Sequence, residues 1–76
     1  MRLGKSLYDT LMARYEHEIM DAETRLKIYF ENPVGIGEHP QHTDEMDKLL
    51  DQLASATDKK NSLENKFKEV YGLDHE

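Results

Sequence analysis

Residues 8–29 read YDTLMARYEHEIMDAETRLKIY. Within that stretch Tyr8, Met12, Tyr15, Ile19, Ala22, Leu26 and Tyr29 recur at alternating steps of four and three. Each of them is apolar or aromatic, and the residues between are mostly charged or polar. This is a heptad seam, the spacing that lets two helices pack side by side at a shallow angle. Working outward, the helix is expected over about residues 6–31. Ser6 with Asp9 supplies a capping-box start, Asp9 standing where Glu is usual.

Beyond residue 31 the helix breakers crowd into one block: Asn32, Pro33, Gly35, Gly37 and Pro40. The remaining glycines, Gly4 and Gly72, fall near the two ends. This punctuation divides the chain into two long segments and one loop at about 32–40. The second helix is expected over about residues 41–71. Pro40 suits a first turn, where its missing N–H costs nothing, and Thr43 is the alternative cap. Asp44, Glu45 and Asp47 complement the positive end of that helix's dipole, Lys66 and Lys68 the negative end. Gly72 reads as the residue that follows the helix in a left-handed conformation. The second seam is Met46, Leu49, Leu53, Ala56, Lys60, Leu63, Phe67 and Val70, broken only by Lys60.

A short connection makes the helices antiparallel neighbours. With Tyr29 opposite Met46, facing residues have numbers that add to 75. Leu26 then faces Leu49, Ala22 faces Leu53, Ile19 faces Ala56, and Tyr8 faces Phe67. Each alanine meets a large aliphatic residue, an alternation that fills a core without voids. Lys60 meets Tyr15, where its stem can pack and its ammonium can reach the ring face or water. The fold class is therefore all-α, one domain over 1–76, a coiled-coil-like antiparallel hairpin.

Size bears on what such a hairpin needs. A chain of 76 residues buries only about 60% of its unfolded surface and is marginal alone. There is no cysteine, so disulfides and thiolate zinc sites are excluded. Oligomerisation is the remaining remedy. Leu7, Leu11, Met20, Ile28, Phe30, Val34, Ile36, Leu50 and Leu73 lie off the seam. They are expected to widen the apolar stripe for a second hairpin, which gives a four-helix bundle or a larger homo-oligomer.

Charge narrows the partners. The formal net charge is −6, which opposes binding to phosphate backbones, so no nucleic-acid partner is expected. From Glu31 to Asp51 six acids stand against one lysine, leaving −1 for the rest of the chain. The loop end is thus an acidic tip. Solubility and dipole matching account for much of it. A tip that steers toward a basic protein surface is the functional reading, with Glu38, Asp44, Glu45, Val34 and Ile36 as candidate partner-binding residues. No apolar run is long enough to span a membrane. Met1-Arg2-Leu3-Gly4-Lys5 lacks the apolar core of a signal peptide, so a cytoplasmic location is expected.

Catalytic chemistry finds no purchase. Gly35-Ile36-Gly37 lacks the Lys-Ser/Thr ending of a phosphate loop and follows no strand. His39 and His42, three apart beside Glu38, Asp44 and Glu45, can hold a transition metal only weakly, and His17 with Asp21 forms no HExxH motif. Ser6, Ser55 and Ser62 stand beside no base. The expectation is a non-enzymatic interaction protein with no catalytic residues, no metal and no cofactor, whose partners are itself and another protein. The alternative is an oligomer that sequesters a nucleotide between subunits near Gly35, Gly37, His39 and His42.

The segments Ser6-Leu7-Tyr8-Asp9, Tyr29-Phe30-Glu31-Asn32-Pro33-Val34-Gly35-Ile36-Gly37-Glu38-His39-Pro40 and Asp47-Lys48-Leu49 resemble small proteins encoded by tailed phages of marine bacteria and cyanobacteria. The loop is the distinctive part. No activity attaches to that family, so the resemblance implies no catalytic residues. It implies a phage-encoded accessory protein in the host cytoplasm that binds a host or phage protein, or, less directly, a structural component of the particle.

Overall fold

The computed structural model describes residues 2–32 and 41–72. Two helices account for nearly all of them: α1, Arg2–Glu31, and α2, His42–Tyr71, each of 30 residues. They pack against each other as an antiparallel pair. The result is a rod of 52 × 18 × 17 Å, close to the length that 30 residues span at about 1.5 Å each.

The expected register holds at the end where the chain termini lie. Tyr8 stacks on Phe67, ring centroids 4.0 Å apart and planes within 20°. Near the loop, Tyr29 meets the His42 ring edge-on at 5.8 Å. Between these ends the buried core is Ala22, Leu26, Leu49 and Ala56, all seam residues and two from each helix. The alanines are the most completely enclosed, at 0% and 1% exposure, because a small side chain lets the backbones approach. Among the described residues no large side chain is fully buried: a two-helix layer has an open edge on each side of its seam.

Four details depart from the sequence reading. α1 begins at Arg2, so Ser6 lies inside the helix, not at its cap. The Ser6 carbonyl accepts a hydrogen bond from Thr10 Oγ1 at 2.8 Å. Asp9, expected to close the capping box, instead pairs with Lys5 one turn earlier, at 2.9 Å. Second, Thr43 is helical. The residue before α2 is Gln41, whose side chain makes no capping hydrogen bond. Asp44 and Glu45 in the first turn complement the dipole there. Third, Lys60 has a partner that the facing pairs did not name. Its ammonium reaches Glu16 at 3.6 Å, while Lys59 sits 5.9 Å from the centre of the Tyr15 ring. An ion pair at the rim leaves Lys60 hydrated, which capping the ring from within the seam does not. Fourth, Val70 continues the seam in sequence but is 71% exposed. Its facing position is Lys5, committed to Asp9, and Tyr71 takes the place beside Phe67, with ring centroids 4.6 Å apart.

Gly72 ends α2 as expected. Its φ of 68° is left-handed, and its N–H donates to the Lys68 carbonyl at 2.7 Å. A Cβ costs energy in that conformation. Gly72→Ala should lower stability by about 1 kcal/mol, read as a fall in the thermal midpoint.

Candidate functional site

The proposed partner-binding residues fall in two groups. Val34, Ile36 and Glu38 lie outside the described residues, as do Pro40 and His39. Asp44 and Glu45 are exposed in the first turn of α2, where Glu45 Oε2 lies 3.5 Å from Lys48 Nζ. The two carboxylates thus share the helix start, and Glu45 is partly neutralised. His42, named with His39 for metal or ligand binding, is half-buried against Tyr29. Among the described residues no group of three potential ligands is assembled.

Two grooves flank the seam. One, of about 430 Å³, is polar and lined by His17, Glu18, Asp21, Asp51, Gln52 and Ser55. Gln52 organises it. Its Nε2 donates to the Glu18 carbonyl at 2.8 Å and to Asp21 Oδ2 at 3.1 Å, a polar tie between the helices. Asp21 also accepts from Arg25 Nε at 3.1 Å. The Gln52 hydrogen bond, followed by that from Arg25 and the charges of Arg25 and His17, holds the Asp21 carboxyl below its ordinary range against a smaller opposing effect of burial. An acid held ionised in this way cannot act as a proton donor near neutral pH. Its hydrogen bond from Gln52 links the two helices. A carboxylate favoured by folding contributes stability above its unfolded-state value and loses it as pH falls through the lower folded-state one. In Gln52→Leu, NMR titration should show the Asp21 carboxyl moving up toward the ordinary range, with less stability lost on acidification.

The second groove, of about 310 Å³, is apolar and lies at the termini end. Gly4, Leu7, Leu11, Phe67, Val70 and Tyr71 line most of it, with Lys66 at its rim. Gly4, placed by the sequence ahead of a helix expected from about residue 6, instead lies within α1, where glycine costs about 1 kcal/mol relative to alanine. Its missing side chain leaves the groove open. The sequence reading placed Leu7 and Leu11 among leftover apolar residues and gave Leu3 no part. The signal was there in Leu3, Leu7 and Leu11 at steps of four, one stripe beside the seam.

The exposed apolar surface extends well beyond this groove. Leu3, Leu7, Met20, Ile28, Phe30, Leu50, Val70 and Tyr71 are all 47–72% exposed. Neither described helix is long and apolar enough to cross a membrane. No family model, curated protein or solved structure matches this chain.

Proposed function

We propose that this chain is a non-enzymatic helical interaction protein whose exposed apolar side chains are covered by protein, in a symmetric helical assembly and on a further partner. One observation carries the reading: among the described residues eight large apolar side chains are exposed while only four residues are buried. A compact protein of 8.9 kDa exposes about 4,800 Å² by the usual scaling, and this one exposes 5957 Å². The excess is of the size that a specific interface removes from water. Its radius of gyration, 16.7 Å against about 11 Å for a compact 76-residue domain, shows where the excess comes from: a rod two helices thick.

The loop motif supports a phage-encoded accessory protein working in the host cytoplasm, and the acidic residues of the loop end suit a basic patch on a host or phage protein. Capture of the tagged chain from infected and uninfected lysates, followed by native mass spectrometry, tests this. The expected result is a stoichiometric protein partner. Charge reversal at Asp44 and Glu45 should weaken its capture if the acidic end makes the contact, and leave it unchanged if a helix face does. A bait that retains a small molecule and no protein would overturn the reading.

A further inference from the structure

One solvent-reaching flank of α1 carries a pattern that matches itself when reversed. Leu7, Arg14, Asp21 and Ile28 stand seven residues apart and so form one stripe along the helix. All four side chains reach solvent: Leu7 is 59% exposed, Arg14 66%, Asp21 31% and Ile28 50%. Read from either end the stripe runs apolar, charged, charged, apolar, with the two charges opposite in sign. Laid antiparallel on a second copy, with facing residues whose numbers add to 35, Leu7 meets Ile28 and Arg14 meets Asp21. The two-fold axis then falls between His17 and Glu18, so each His17 faces a Glu18. That axis is near the middle of α1, so the two rods overlap along almost their whole length.

We infer that two copies of this chain dimerise through α1, antiparallel and in this register. The inference rests on the reading that the hairpin's exposed faces are covered by protein, and names a second copy as the cover for one of them. Three further observations favour it. The apolar groove at the termini end lies between Gly4, Leu7 and Leu11, the level at which the other copy's Ile28 arrives, which gives that side chain a pocket. The rod is also electrically polar. Residues 2–16 and 58–71 hold seven basic and five acidic side chains, residues 17–57 three basic and nine acidic. Antiparallel pairing sets the basic half of each copy against the acidic half of the other, whereas parallel pairing stacks the acidic halves together. Finally, the excess exposed area, about 1,150 Å², is enough to supply the roughly 800 Å² that a dimer of standard size takes from each partner. The Arg14–Glu18 and Asp21–Arg25 pairs within the helix, at 3.7 and 3.1 Å, hold the central charges in place for the intermolecular contacts.

The register makes a reciprocal test. In R14D the facing residues are two carboxylates, and in D21R two guanidiniums, each occurring twice across the axis. Each variant alone should dimerise about tenfold or more weakly by sedimentation equilibrium at micromolar concentration. Mixed in equal amounts, the two should form a heterodimer close to the parent in affinity, because every facing pair is again of opposite sign. A mixture no tighter than either variant overturns the inference. Asp21 also accepts from Gln52, so D21R is checked for helicity by circular dichroism, and a second pair of variants carries the test if it fails to fold. L7C and I28C, in a chain with no other cysteine, should give a disulfide only when mixed. In the antiparallel register two copies of position 7 lie about 31 Å apart, beyond any disulfide. Self-linked L7C, or a parent chain that stays monomeric, sinks the antiparallel dimer. A monomeric parent that still captures another protein leaves the broader reading standing, and a monomer that captures nothing removes both.

Discussion

Leu26→Ala is expected to remove a large share of the hairpin's stability, about 2–5 kcal/mol. Leu26 is 7% exposed and lies in the seam level with Leu49, which is 9% exposed. Among the described residues these are the only large side chains in the buried core, the other two members being alanines. At typical values per residue a chain of this length has about 4–11 kcal/mol in total. Deleting the isobutyl group loses its transfer free energy and leaves a gap beside Leu49. The gap opens onto the edges of a two-helix layer, so neighbouring side chains can close part of it, and the effect belongs in the lower half of the range. Urea titration followed by circular dichroism measures it. Leu50→Ala, one residue from Leu49 but 51% exposed, is the control and should shift stability by about 0.5 kcal/mol or less. Equal losses at the two positions would mean that the seam is not where the hairpin's stability resides.

The seam was legible because heptad spacing is a local property. Helix–helix contact follows from residues three and four apart, and a short loop leaves only one way to fold the second seam onto the first. The Tyr8–Phe67 stack, nearly the whole chain apart, came from that reasoning alone. What failed was decided by competition between neighbours that spacing does not weigh. Asp9 had two uses, as a cap and as an ion-pair partner one turn from Lys5, and the ion pair prevailed. Lys59 and Lys60 both lie near Tyr15 and Glu16, and a one-residue difference in angle around the helix decided which met the ring and which the carboxylate. The Gln52 tie to Glu18 and Asp21 was not anticipated at all, because a glutamine on a polar face carries no signal until the opposing helix is placed beside it. Interaction surfaces suffer most from this limit. Leu7 and Leu11 are ordinary helix residues taken singly, and become a surface only when Gly4 and the end of α2 are set around them. The charge alternation at Arg14 and Asp21 likewise has meaning only once both are known to reach solvent.

Ala22→Asp is expected to be the most damaging single substitution on α1, and its effect should depend on pH. Ala22 has no exposed surface and is the most completely enclosed of the described core residues. A carboxylate at this fully enclosed position is held by a single methylene against the opposing helix, too short a reach to the open edges of the seam. No basic side chain occupies a neighbouring seam position to neutralise it; Ile19, Leu26, Leu49 and Leu53 are the nearest ones on the two helices. An unpaired buried charge costs about 3–5 kcal/mol, and the added volume increases the strain. The chain has one escape, which is to keep the new group protonated. Burial raises its folded-state pKa above the unfolded value of about 3.9. The unfolded chain then releases its proton first as pH rises, so the penalty is greatest at neutral pH and shrinks as pH falls toward the unfolded value. The stability gap between A22D and the parent chain, measured by urea titration at pH 7 and near pH 4, should therefore narrow at the lower pH. Ala22→Asn, of similar size and uncharged, separates charge from volume: its gap should be smaller at pH 7 and the same at both pH values. A gap for A22D that did not change with pH would show that the carboxylate had found water, and hence that the helices are not closed together at Ala22.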